Sequence, residues 1–286
     1  MFIGSKILSI LQMSLSGLVN INKFKHGAIR WALFVTCYVT NDVIAAEISW
    51  AGPNGGNWNV AANWSPNKVP GSGDSATIGG VNVQVTGNVS VRTLTLFEAS
   101  TLSVAPGSVL NLVGGGSFYG VLTNAGTINW SGSGDITLYN VYYPGYSYTT
   151  GGFGTPRKTV WVPSRENTGG VVNLVSGLFN VQSDQALNVN SNGGGGYPLF
   201  SNAGTFRKSA GMGTNVVFVN FSNSGTVDVR SGTLSLKGRF VNSGAVDVKS
   251  GTLSLEGGAA AVEISMRVRV ARLFYKTTTA LTAAPD

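Results

Sequence analysis

Histidine and cysteine are almost missing from this chain: among 286 residues, His26 is the only histidine and Cys37 the only cysteine. Both lie in the first 46 residues, which read as a secretory leader. Lys23, Lys25 and Arg30 precede the apolar run from Trp31 to Val39, and Ala45 and Ala46 offer small residues for cleavage. That run is too short to span a bilayer, which takes about 20 residues, so no integral membrane domain is expected. A membrane-anchoring helix or a misplaced start codon are the other readings of this segment. Thr36 before Cys37 makes a poor lipoprotein cleavage box. With residues 1–46 removed, the chain keeps neither imidazole nor thiol. Ser-His and Cys-His catalysis, His/Cys zinc sites and disulfides are then excluded, and no cofactor or metal centre is expected.

Charge is scarce too, at 11% of residues. The formal +7 falls to +4 once the leader's four basic residues and one acidic residue are set aside. The remaining Lys and Arg are scattered, without the dense basic footprint that nucleic-acid binding requires, so no nucleic-acid partner is expected.

What is abundant is glycine, with 40 residues, beside 43% hydrophobic residues. This composition fits a turn-rich β protein and is too apolar for a disordered chain. The glycines fall in a repeat. FSNSGTVDVRSGTLSLKGR is followed by FVNSGAVDVKSGTLSLEGG, with Asn223 and Asn242 in equivalent places 19 residues apart. The Asn-x-Gly turn recurs at Asn124, Asn167, Asn202, Asn223 and Asn242. An apolar residue stands two places before four of them, and Arg165 breaks the pattern before Asn167. Alternating apolar residues follow each turn: Val227, Val229, Leu234 and Leu236 in one copy, Val172, Leu174, Phe179 and Val181 in the copy assigned to Asn167. Alternation is the period of a strand. Short strands in a period of about 20 residues build a coil of a parallel β-solenoid. One such coil cannot bury its own apolar side chains, so each copy needs the next. Stacked asparagines would link the copies through their amides.

The repeat divides the chain into a leader (1–46), a Trp-rich cap with first coils (47–95), a solenoid (96–258) and an atypical tail (259–286). In the second part, Trp50, Trp58 and Trp64 stand among turn residues. They read as a cap over the solenoid end in preference to an aromatic sugar site. Two insertions interrupt the solenoid, near 139–162 and 188–198. The first carries Tyr139, Tyr142, Tyr143, Tyr146 and Tyr148, the best binding candidates, because insertions in repeat proteins gather on one face and aromatic faces bind at low entropic cost. Asp228 and Asp247, with Arg230 and Lys249, read as an outward, solvated, salt-bridged face. Lys208 falls at an inward position, where the expected resolution is a bulge that turns it outward or a head that snorkels to water. The tail lacks the alternation and the corner glycines; it reads as an unusual cap or as the product of a frameshifted or truncated gene, with no anchor or sorting motif in it.

The series W-G…NW…ANWS…VPGSGDSATI, LTNAGTINWSGSGDI, FSNAGTFRKSAGMGT and NSGTVDVRSGTLSL resembles the repeat regions of large secreted bacterial surface proteins of the adhesin and autotransporter-passenger type. The resemblance covers most of Glu47 to Gly258. It implies a right-handed parallel β-solenoid, an all-β fold, export to the cell surface, and a stalk or adhesive role. The expected function is a non-enzymatic structural and adhesive module whose partner is a surface polysaccharide or another surface polymer. A polysaccharide lyase or hydrolase on a β-helix is the alternative, and it would draw on Asp228 and Asp247.

Overall fold

A computed structural model describes residues 45–152, 157–193 and 196–257, together with the backbone of the short strands Ala259–Val262, Ser265–Met266 and Arg272–Tyr275. The leader reading, with His26 and Cys37, lies outside the described residues.

The chain from Glu47 onward is a parallel β-solenoid. Strands of mostly four residues wind through three faces, each a long parallel sheet. One complete coil is Ser75–Ile78 on face 1, Asn82–Val85 on face 2 and Asn88–Val91 on face 3. The next coil begins at Thr93, paired with Ser75. Successive partners on face 1 lie 18 residues apart at Ser75↔Thr93, 20 at Gly116↔Ile136, and 19 at Thr214↔Thr233 and Thr233↔Thr252. Every second residue points inward, and the inward residues form one continuous buried cluster from Ile48 to Leu255.

In-register pairing places like over like. Leu122, Val171, Phe200, Phe221 and Phe240 form one inward column on face 2, with Phe200 and Phe221 stacked at 4.9 Å. Phe179 and Phe206 stack beside them on face 3 at 5.7 Å. Offset and edge-on ring contacts of this kind add to the gain from burial. Corners are made by glycines whose places leave no room for a side chain: a Cβ at Gly225 would lie 2.1 Å from the Gly204 carbonyl oxygen of the coil before.

The three tryptophans lie at the first end of the stack. Glu47–Trp50 opens face 1, and Trp64–Ser65 folds back antiparallel to it as the outermost strand. Trp64 meets Trp50 and Trp58 edge-on, with ring centres 5.0 and 4.7 Å away, and its Nε1 donates to the Trp58 carbonyl at 2.7 Å. Trp58 and Trp64 have no exposed surface, so neither has a face for a sugar. This end is a cap.

At the other end the pairing runs on past the change in sequence. Ala259–Val262, Ser265–Met266 and Arg272–Tyr275 continue faces 2, 3 and 1 in turn, with a shift of register between Phe240 and Asn242.

Candidate functional site

The asparagines of the corners are a structural device. In one inward column of face 2, Val85 and Val104 give way to Asn124, Asn173, Asn202, Asn223 and Asn242. Each Nδ2 donates to the Oδ1 of the next: Asn124 to Asn173 at 2.8 Å, Asn173 to Asn202 at 2.7 Å, Asn202 to Asn223 and Asn223 to Asn242 at 2.6 Å. The same nitrogens also reach backbone carbonyls, as Asn202 does to Thr226 at 3.0 Å. All five are buried, where an unpaired amide would cost its full desolvation.

Asn167 is not in this column. Asn173 takes its place because three residues, not one, separate it from the corner glycine Gly177, which hides the Asn-x-Gly spacing. The copy is therefore reframed: Val171 points inward, Val172 is only half-buried and Leu174 is exposed. Asn167 instead lies on the return strand of the first insertion, where its Nδ2 donates to the Tyr119 carbonyl.

The two insertions leave the same corner, between faces 1 and 2, in successive coils. The first extends strand Ile136–Tyr143 off the wall, turns through a hairpin of Tyr146–Thr150 and Lys158–Val162, and returns along Arg165–Thr168 antiparallel to Asn140–Tyr143. The second follows strand Leu187–Ser191, which pairs with Ile136–Asn140. A buried residue that sequence reasoning passed over, Asn140, joins them. Its Nδ2 donates to Glu166 Oε1 at 2.7 Å and to the carbonyls of Gly193 and Gly196 at 3.1 and 2.8 Å, while Thr168 Oγ1 donates to its Oδ1 at 2.8 Å. Glu166 Oε1 also accepts the Gly196 amide at 2.7 Å.

The five candidate tyrosines separate into two groups. Tyr139 belongs to the wall, stacked on Tyr119 at 4.1 Å, with Phe97 next in line. Burial first, then the neighbouring Tyr139, pushes the Tyr119 phenol above its ordinary pKa. Tyr142 and Tyr143 form the half-buried base of the insertion. Tyr143 donates its hydroxyl to Glu98, and Arg165 lies over its ring at 4.3 Å. The bond to Glu98, then burial, raises the Tyr143 pKa against the opposing pull of Arg165, so the hydroxyl stays a donor. Tyr146 and Tyr148 alone stand out, 59% and 46% exposed, with ring centres 6.2 Å apart.

Alternation along the hairpin gives them one face, with Val160 and Val162 opposite. The other face carries Trp161, 63% exposed. Trp161 lies so close over the turn that a Cβ at Gly145 would be 2.7 Å from its ring. At the hairpin's root Tyr143, Pro144, Tyr146, Val162, Pro163 and Arg165 enclose a cavity of about 370 Å³. An apolar ring surface beside a guanidinium is suited to stacking and hydrogen bonding with a hydroxylated ligand.

The repeated charged face differs from its expectation. Asp228 is 2% exposed, not solvated. Arg207 Nε and Arg230 Nε each donate to its Oδ2 at 2.8 Å, and Lys249 reaches its Oδ1 at 3.3 Å. The cause is register. Arg207 stands directly below Asp228 on face 3, and the long side chains of Arg230 and Lys249 fold over it. Burial alone would raise the Asp228 pKa, but the three cations outweigh it and hold the value low. Asp247, next in the column, pairs with Lys249 at 2.8 Å.

Lys208 is inward without any bulge. Its strand pairs in unbroken register with Val181 and Val229 as neighbours. The fully buried side chain reaches the next corner, where Nζ donates to Asp184 Oδ1 at 2.8 Å and to the carbonyls of Ser183 and Ala210 at 3.1 Å. The hydrogen bond from Lys208 is the largest influence lowering the Asp184 pKa, and the Gly213 amide adds to it. The pair staples a corner whose Met212 is 96% exposed.

Among the described residues no group of His, Cys, Asp and Glu is arranged to hold a metal ion, and no helix is long and apolar enough to cross a membrane. Comparison with family models, with curated proteins and with solved structures finds no match to this chain.

Proposed function

We propose that this chain is a non-enzymatic extracellular module, a solenoid stalk whose Tyr146–Val162 hairpin adheres to a cell-surface polysaccharide. The observation that carries the reading is the hairpin. Among its described residues none is buried, and it displays Tyr146, Tyr148 and Trp161 to solvent. Exposed aromatic side chains grouped on one small element mark an interaction surface, and rings supply contact area at low entropic cost. The repeated carboxylate Asp228 is bound to three cations and is a structural ion cluster, which favours the stalk over the glycosidase alternative. Each hairpin binds weakly, and display of many copies on a surface supplies the avidity.

Tyr146→Ala with Tyr148→Ala should abolish binding of the full chain to polysaccharide arrays and whole cells, with the melting temperature almost unchanged. Retained binding by this variant overturns the site. Shortening of acidic or neutral polysaccharides by the purified chain, with or without calcium, overturns the non-enzymatic reading.

A further inference from the structure

Two asparagines in the chain are followed directly by glycine, Asn54 and Asn192. An Asn-Gly pair can undergo a self-reaction in which the glycine amide nitrogen attacks the asparagine Cγ. The new N–C bond closes a succinimide and expels ammonia. Solvent water then opens the ring to aspartate or isoaspartate, and no other reactant is needed. Glycine is the permissive neighbour because no side chain shields its nitrogen.

The two pairs form a controlled comparison. Both asparagines are exposed. Both offer a polarised carbonyl: the Asn82 amide donates to Asn54 Oδ1 at 2.8 Å, and the Tyr142 amide to Asn192 Oδ1 at 2.7 Å. A donor so placed stabilises the oxyanion that forms when Cγ is attacked. The nucleophiles differ. Gly55 N is committed to the Asn82 carbonyl at 2.7 Å, a backbone bond that withholds the proton and fixes the nitrogen. Among the described residues Gly193 N meets only the Ser191 hydroxyl oxygen, at 3.5 Å. We infer that Asn192 is a self-modifying deamidation site and that Asn54 is protected.

The position gives the reaction a consequence. Asn192 grips the Tyr142 backbone from both sides, its Nδ2 lying 3.5 Å from the Tyr142 carbonyl oxygen. Conversion to aspartate replaces that donor by a charged acceptor facing a carbonyl. Isoaspartate also lengthens the backbone. Either product loosens this one contact of the second insertion with the base of the hairpin-bearing one, beside the bonds that Asn140 and Glu166 make to Gly193 and Gly196. The site is thus a slow chemical clock, independent of what the hairpin binds.

The full chain, aged at mildly alkaline pH, is digested and mapped by mass spectrometry beside a urea-unfolded control. Conversion at Asn192 is expected to outrun Asn54 roughly tenfold in the folded chain, the factor for opening one backbone hydrogen bond, and to match it in urea. Gly193→Ala should suppress the reaction at Asn192. Equal rates at the two sites in the folded chain overturn the inference. So does an inert Asn192 in the folded chain that converts only when unfolded, because the grip on Tyr142 would then be a shield.

Discussion

From Leu199 to Leu255 the coils are nearly copies, with partners 21 residues apart at Phe200↔Phe221 and 19 apart at Phe221↔Phe240. From Ile136 to Leu187 the same step takes 51 residues, and from Leu187 to Val217 it takes 30. Yet the asparagine column and the apolar core run through both regions without a gap. The difference shows that this fold tolerates additions at a corner so long as the strands return to register. Loop closure costs grow only slowly with length, whereas a one-residue slip in a strand would turn every inward side chain outward. Regular coils therefore supply stability, and the irregular pair supplies a surface.

The sharpest way to break the contrast is a charge inside the regular region. Val229→Asp buries a carboxylate between Val248 and Lys208, whose ammonium is already engaged by Asp184 and two carbonyls, and should cost about 4 kcal/mol or more, read by denaturant unfolding. A loss under 1 kcal/mol would mean that the coil register is wrong. A middle-sized effect is expected from the column common to both regions. Asn202→Ala deprives Asn223 Oδ1 of its side-chain donor and Asn173 Nδ2 of its side-chain acceptor and should cost roughly 2–3 kcal/mol. Asn167→Ala removes one half-buried bond and should cost about 1 kcal/mol or less. Equal losses would show that the column carries no special weight.

An effect smaller than that of the buried column concerns the ion cluster. Asp228→Asn should cost roughly 1–2 kcal/mol near neutral pH, because Arg230 and Lys249 are half-exposed and water can serve them. The folded-state pKa of Asp228 lies below its ordinary value of 3.8, so its contribution is complete above that value and fades as pH falls through the lower one. The stability gap between wild type and variant should accordingly be full above about pH 3.8 and close as the pH falls below it. A gap independent of pH would show that packing, and not charge, is lost in the variant.

Much of this architecture was legible in the residues. Alternation after each Asn-x-Gly turn marked the strands, and the tryptophans marked the cap. Asn173 was illegible because the signal searched for was a spacing, and the corner after it is two residues longer than the others. Asp228 misled because alternation reports which side of a sheet a residue faces, not what covers that side. The cover comes from Arg207 one coil earlier and Lys249 one coil later, contacts that only the stacking creates. In the insertion, counting tyrosines could not separate Tyr139, stacked on the wall, from Tyr146 and Tyr148, and it passed over Trp161 on the opposite hairpin face.

Stacking also fixes how the molecule answers a pull. The ladder hydrogen bonds and the asparagine amides lie along the stacking axis, so tension applied along that axis meets them one coil at a time instead of in shear. A regular coil of 19 residues adds about 4.8 Å to the stack but spans roughly 60 Å when drawn out. Each coil that peels away thus lengthens the tether more than tenfold relative to the height it occupied, while the coils behind it keep their register. A solenoid built this way would yield under load by paying out chain coil by coil, in nearly equal steps where the coils are regular and in longer ones where they carry insertions.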